Sequence, residues 1–319
     1  MRKSIHSKFL QVKLLSSYFL ISMSCCWIAS TSAFAQGSKA DVKTNLPLVS
    51  DEVFQSIAQF YDYDQDIPLE ARIVAKNELA EGTREKIVFT GIDHTKVPAY
   101  LVLPKSGEGT YPVILIVDGI SGSKERWFDD SSWPKGGLVT KSLLNMGFAV
   151  MILDAVYHGE RSAENEYAPA TLEYPIAARN MIMQTAIEYR RAIDYLSTRT
   201  EIDTTRIGML GLSMGGLITF QLTSVDSRIK TAVAGLTPLI KDPKYQPVES
   251  TTFAGHIQCS SFLMISGNKD NWYTMTEARQ LYDLIPIDQK EFVEYDSGHE
   301  PPIEYVEKVT NWFVNYLKP

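Results

Sequence analysis

The 319-residue chain is poor in cysteine and histidine, with three of the first and five of the second. Cys25 and Cys26 sit in an N-terminal segment that reads as a cleavable leader, which leaves Cys259 alone. A single thiol excludes an internal disulfide, so stability has to come from an ordinary apolar core. Cys259 itself reads as a small buried residue rather than a reactive thiol. Excess positive charge is also missing: the formal net charge is −7. Removing residues 1–35 deletes four basic and no acidic residues and takes the balance to about −11. Such a surface disfavours nucleic acid and anionic membranes as partners. With no internal repeat or low-complexity tract, the remaining 284 residues can build one large core in a single domain.

The leader rests on three features. Arg2, Lys3, Lys8 and Lys13 form a basic start, Leu14 to Ala29 is mostly apolar, and Ala33-Phe34-Ala35 fits a small-x-small cleavage pattern. A membrane anchor is the competing reading. The apolar stretch is short for a span, is diluted by serines, and runs into the cleavage pattern. The expectation is therefore a signal peptide over 1–35 and one catalytic domain over 36–319. The mature protein would be periplasmic or secreted, without stable membrane insertion. The sequence leaves its oligomeric state open.

What is abundant is alternation of strand-like and helix-like segments. Val53, Ile57 and Phe60 give Asp51–Tyr61 helical spacing, with Ser50 as its cap. Lys86–Thr90 and Ala99–Leu103 read as strands, and Val113-Ile114-Leu115-Ile116-Val117 as a strand covered on both faces. Helices then come at Leu138–Met146, Ile182–Leu196, Thr276–Leu284 and Ile303–Leu317. Between them lie strands at Ala149–Leu153, Ile207–Leu210, Thr231–Ala234, Phe262–Ser266 and Glu291–Tyr295. This order predicts an α/β fold with a mostly parallel central sheet and helices on both faces. Two long connections, 160–177 and 238–256, are candidate pocket walls or a lid.

The chemistry concentrates at Gly211-Leu212-Ser213-Met214-Gly215, directly after the apolar run Ile207–Leu210. A buried strand, a serine flanked by glycines two residues away and a following helix make a nucleophile elbow. A serine hydroxyl needs a base, and the base needs an orienting carboxylate. In strand–elbow–helix sites the acid and then the histidine come after the serine in the chain. His6 lies in the leader, and His94 and His158 precede Ser213. His256 comes after it with no obvious acid between. His299, beyond the last strand, is the candidate base. Asp270, just past the Phe262–Ser266 strand, is the candidate acid, with Asp296 as runner-up.

A developing oxyanion needs donors. The Met214 amide, first in the elbow helix, is one. The loop Asp118-Gly119-Ile120-Ser121-Gly122-Ser123-Lys124-Glu125 should supply the other from Ile120. That loop lacks the Gly-Lys-Ser/Thr spacing of a phosphate-binding loop. Trp127, Phe128, Trp133, Tyr157, Trp272 and Tyr273 fall near these segments as candidate pocket aromatics.

From about Lys86 to Leu317 these residues resemble the α/β-hydrolase superfamily, and within it the dienelactone-hydrolase-like and acetyl-esterase-like groups. Asp154-Ala155-Val156-Tyr157-His158-Gly159-Glu160-Arg161-Ser162 is similar to the D-x-x-G-H-G-x-S segment of that superfamily. The resemblance implies a structural His158 that buttresses the oxyanion loop. It also implies a serine hydrolase cleaving carboxylic esters through an acyl-enzyme, with no cofactor or metal. The substrate would be a small-molecule or acylated-carbohydrate ester. Two departures stand out. Asp118 takes the place of a usual histidine and puts a negative charge near the oxyanion. Ser213 replaces the cysteine of dienelactone hydrolases, so that particular reaction is not expected. A peptidase or amidase of the prolyl-oligopeptidase-like type is the alternative, disfavoured by the missing propeller domain. An inactive hydrolase-like binding protein is a further alternative.

Overall fold

The computed structural model describes residues 46–105, 109–163 and 171–318. The expected leader lies outside the described residues. Among the described residues, nine strands form one sheet: β1 (Arg72–Glu78), β2 (Gly82–Thr90), β3 (Lys96–Pro104), β4 (Tyr111–Val117), β5 (Ala149–Leu153), β6 (Ile202–Leu212), β7 (Ile229–Gly235), β8 (Ser261–Gly267) and β9 (Lys290–Tyr295). Their spatial order is β1-β2-β3-β5-β4-β6-β7-β8-β9. The pairs from β1 to β5 are antiparallel, and every pair from β5 to β9 is parallel. The helices are α1 (Asp51–Ala58), α2 (Gly136–Asn145), α3 (Pro175–Leu196), α4 (Met214–Val225), α5 (Ser250–Phe253), α6 (Met275–Asp283) and α7 (Tyr305–Leu317).

Side-chain alternation along the central strands divides the interior into two cores. In β4, Val113, Leu115 and Val117 enter the core under α3 and α4, and Ile114 and Ile116 enter the core under α2 and α7. Strand β8 repeats this, with Phe262 and Met264 on one side and Leu263 and Ile265 on the other. A strand buried on both faces is therefore apolar at every position.

The structure corrects several expected boundaries. Strand β1 is new, and all seven of its residues are exposed, so no buried face betrays it. Helix α3 starts at Pro175, seven residues before the apolar repeat makes it visible, with proline in its first turn. Residues 238–256 are no open loop. They contain α5 and two 3₁₀ turns, and bury Tyr245, Val248 and Phe253.

That segment also buries Glu249, which accepts a 3.0 Å bond from the Ile240 amide. Burial pushes its carboxyl from 4.5 up to about 8, and the amide bond only partly opposes this. The folded chain thus holds a proton here that the unfolded chain has released. The resulting stabilisation is full below pH 4.5 and is lost as pH rises through about 8. Glu249→Gln should remove that loss. Thermal melts from about pH 5 to 9 are expected to show the variant overtaking the wild type at the alkaline end. Parallel curves would contradict the assignment.

Candidate active site

Strand β6 delivers Ser213 into an elbow with φ 55° and ψ −116°, a region that non-glycine residues rarely occupy. The flanking glycines permit it. A Cβ on Gly211 would lie 2.0 Å from the Gly215 carbonyl oxygen, and one on Gly215 would lie 2.1 Å from that of Val117. The Ser213 amide bonds the Gly235 carbonyl at 2.9 Å, which fixes the turn to β7.

The loops after β8 and β9 bring the other two candidates to it. His299 Nε2 lies 2.8 Å from Ser213 Oγ, and His299 Nδ1 lies 2.7 Å from Asp270 Oδ2. Asp270 Oδ1 accepts the Trp272 amide at 3.0 Å. Burial raises the Asp270 carboxyl, but the bonds from His299 and Trp272 outweigh it, and the group lies below its ordinary value. Asp296 stands apart, exposed and paired with Lys269 at 2.8 Å.

The loop after β4 closes the other side. A Cβ on Gly119 would come within 3.2 Å of Ser213 Cβ, so this loop runs close over the nucleophile. Ile120 and Met214 both line the cleft. Among the described residues, no acceptor takes the Ile120 amide. The Met214 amide opens α4, where first-turn N–H groups lack intrahelical partners. His158 supports this loop. Its Nδ1 lies 2.7 Å from the Val156 carbonyl, and its Nε2 accepts the Ser121 amide at 3.0 Å. Burial lowers its proton affinity, consistent with the neutral ring that this pattern requires.

Asp118 is tied into the same loop. Its carboxylate accepts the Gly119 amide at 2.7 Å and the Ser123 amide at 3.2 Å, and Arg126 Nε lies 3.6 Å away. Burial raises it to about 6, against the pull of Arg126 and the amides. Its charge is thereby turned onto loop amides. Beneath it, the fully buried Lys124 bonds Asp154 at 2.6 Å and Glu160 at 2.5 Å, and Asp154 also accepts the Lys124 amide at 2.9 Å.

The cleft encloses about 260 Å³. Of the six candidate aromatics, Trp133 and Trp272 line it, each beside the His299 ring. The others do not. Trp127 belongs to the core under α2, Phe128 packs on Tyr100 and Arg84, and Tyr157 lines a separate cavity. Tyr273 is buried and its hydroxyl accepts the Gly267 amide. Sequence reasoning missed Arg126, Leu172, Leu217 and Pro238 as lining residues. Leu172 and Pro238 come from the two long connections and were foreshadowed only by those lengths. Nothing in the spacing marks Arg126. Cys259 is buried away from the cleft, its thiol pushed up to about 12 by burial. No helix among the described residues is long and apolar enough to cross a membrane.

Residues 97–291 match the dienelactone hydrolase family. The Bacillus subtilis (strain 168) protein YtaP is 27% identical over 170 residues, covering 52% of this chain and 56% of that protein. The curated relatives are matched over 39 to 56% of their own length. Acetyl xylan esterase 1 of Thermoanaerobacterium sp. JW/SL YS485 superposes with a TM-score of 0.70 at 17% identity, over 87% of this chain and 96% of its own. An acetyl xylan esterase from Paenibacillus sp. R4 gives 0.68 at 21%, over 87% and 98%. At these identities the likeness is one of fold, and that fold is the α/β-hydrolase fold. Because the family match takes in more than half of the chain, the protein belongs to the dienelactone hydrolase family.

Proposed function

We propose that the protein is a serine hydrolase of carboxylic esters. The observation that carries this is the continuous hydrogen-bonded line from Ser213 through His299 to Asp270, with Ile120 and Met214 beside the serine. Ser213 Oγ attacks the ester carbonyl while His299 Nε2 takes its proton. Asp270 holds the Nδ1–H and stabilises the imidazolium. The Ile120 and Met214 amides receive the oxyanion. His299 then returns the proton to the alcohol oxygen as the acyl–oxygen bond breaks. Water, deprotonated by His299, attacks the acyl-enzyme and releases the carboxylic acid.

Several features support this reading. The solved structures of similar fold include acetyl xylan esterases and a glucuronoyl esterase of Solibacter usitatus. A serine in the elbow suits ester hydrolysis and sets this chain apart from the cysteine-using dienelactone hydrolases. The leader-like residues 1–35 argue for work in the periplasm or outside the cell. Hydrolysis of p-nitrophenyl acetate, butyrate and octanoate by the mature protein tests the proposal. Turnover falling with chain length is expected from a cleft this small. A folded protein silent on all three, but active on a matched amide, would favour the peptidase reading.

A further inference from the structure

We propose that Trp133 is a positioning residue for His299. Its indole N–H, acting on the His299 main chain, sets where the base stands between Ser213 and Asp270. This rests on the ester-hydrolase reading and deepens it.

A base bonded at both ring nitrogens still needs its backbone held. The imidazole swings on side-chain torsions from its own Cα, and a misplacement of about 1 Å can cost about a hundredfold in rate. His299 lies in the loop between β9 and α7, with no strand or helix of its own. Upstream, that loop is pinned to the end of β8. The Lys269 amide donates to the Ser297 carbonyl at 2.9 Å, and a Cβ on Gly267 would lie 2.4 Å from the Gly298 carbonyl oxygen. At the base itself, the His299 carbonyl accepts the Trp133 Nε1–H at 2.7 Å. Among the described residues no other donor reaches that carbonyl.

The two residues after Trp133 reach the same stretch of chain. The Pro134 carbonyl accepts the Tyr305 hydroxyl, and Lys135 Nζ pairs with Glu300 Oε1. Three consecutive residues thus clasp the segment from His299 to the start of α7. The Lys135–Glu300 pair is exposed and weakened by solvent, and the Pro134 bond acts downstream on α7. The Trp133 bond ends on the base residue.

The clasp is also firm on its own side. Ser132 Oγ donates to the Arg126 carbonyl at 2.7 Å and accepts the Gly136 amide at 3.0 Å, and the Lys135 amide donates to the Ser132 carbonyl at 2.8 Å. Lys135 takes φ 53° and ψ 35°, a left-handed conformation that persists in a lysine when its surroundings impose it. This connection from β4 to α2 carries Ile120 as well. One stretch of chain therefore sets the proposed oxyanion donor and the proposed base in register with each other.

Trp133 also lines the cleft, with its ring centroid 5.7 Å from that of His299, so the N–H has to be tested apart from the ring. Trp133→Phe keeps an apolar ring and loses the donor. Replacing Trp133 with benzothienylalanine keeps the bicyclic shape and puts sulfur where the N–H stands. Both variants are read by kcat and KM on p-nitrophenyl acetate, by the rate at which a fluorophosphonate labels Ser213, and by melting temperature. The expected result for both is a kcat lower by about 10- to 100-fold and labelling slowed by a similar factor, because each reaction needs the base in place. In the sulfur variant, KM should stay within about twofold of wild type and the melting temperature should be kept. A sulfur variant as fast as wild type overturns the assignment, whatever Trp133→Phe does, because the ring then suffices. A loss confined to KM overturns it too. A wild type that is labelled at Ser213 but hydrolyses none of the p-nitrophenyl esters sinks the ester-hydrolase reading, and the labelling rates then decide the role of Trp133. A wild type that is neither labelled nor active overturns both.

Discussion

Ser213→Ala is expected to lower kcat on any accepted ester by roughly 10⁴- to 10⁶-fold, with the fold and melting temperature kept. On the proposed mechanism its hydroxyl forms the acyl bond, and its contribution to ground-state binding is small. The loss should therefore fall on kcat and leave KM near its original value. In energy this is about 5 to 8 kcal/mol of transition-state stabilisation. His299→Ala should cost a similar factor, and the double variant little more, because the two side chains act as one unit. A fluorophosphonate probe should label the wild type and not the serine variant. A Ser213→Ala enzyme within about tenfold of wild type would remove Ser213 from the mechanism.

Asp154→Ala should have the largest effect on stability. The side chains of Asp154 and Lys124 are both fully buried, and Glu160 shares the lysine from the surface side. Removing the aspartate leaves an ammonium inside the protein with two exposed partners, Glu160 and, at 3.5 Å, Glu125. Breaking a buried pair this way typically costs about 3–5 kcal/mol. For a domain of this size that corresponds to a melting temperature lower by on the order of 10 °C. Activity should fall too, because Asp154 also holds the Lys124 amide at the end of the oxyanion loop. Replacing the pair together, Lys124→Met with Asp154→Leu, is expected to recover much of the stability and little of the activity. Equal recovery of both would mean that the pair serves folding alone.

The parts of the site legible in the sequence were those set by local backbone constraint or chain order. Gly211 and Gly215 are needed at an elbow whatever surrounds it, and Ser213, Asp270 and His299 appear in the order that the sheet dictates. The double-sided burial of β4 was readable because its run is apolar at every position, and in the structure those residues alternate between one core and the other. What escaped depends on contacts between distant segments. Trp133 and His299 are 166 positions apart, and no periodicity links them. Strand β1 gave no signal because a strand exposed at every position has no alternation. The 238–256 wall was opaque for a related reason: turns of three to six residues are too short to show a repeat. Asp118 looked from sequence like an obstacle to catalysis. Its position shows the carboxylate already committed to the Gly119 and Ser123 amides.

The placement of α7 has a bearing on how the enzyme comes into being. Ser213 precedes His299 by 86 positions. The loop that carries His299 is secured by the helix downstream of it: Tyr305 hydroxyl to the Pro134 carbonyl, Trp312 Nε1 to Thr231 Oγ1 at 3.0 Å, and Phe313 and Leu317 in the core under α2. On the proposed mechanism, Ser213 would gain its base only once the segment through α7 had docked.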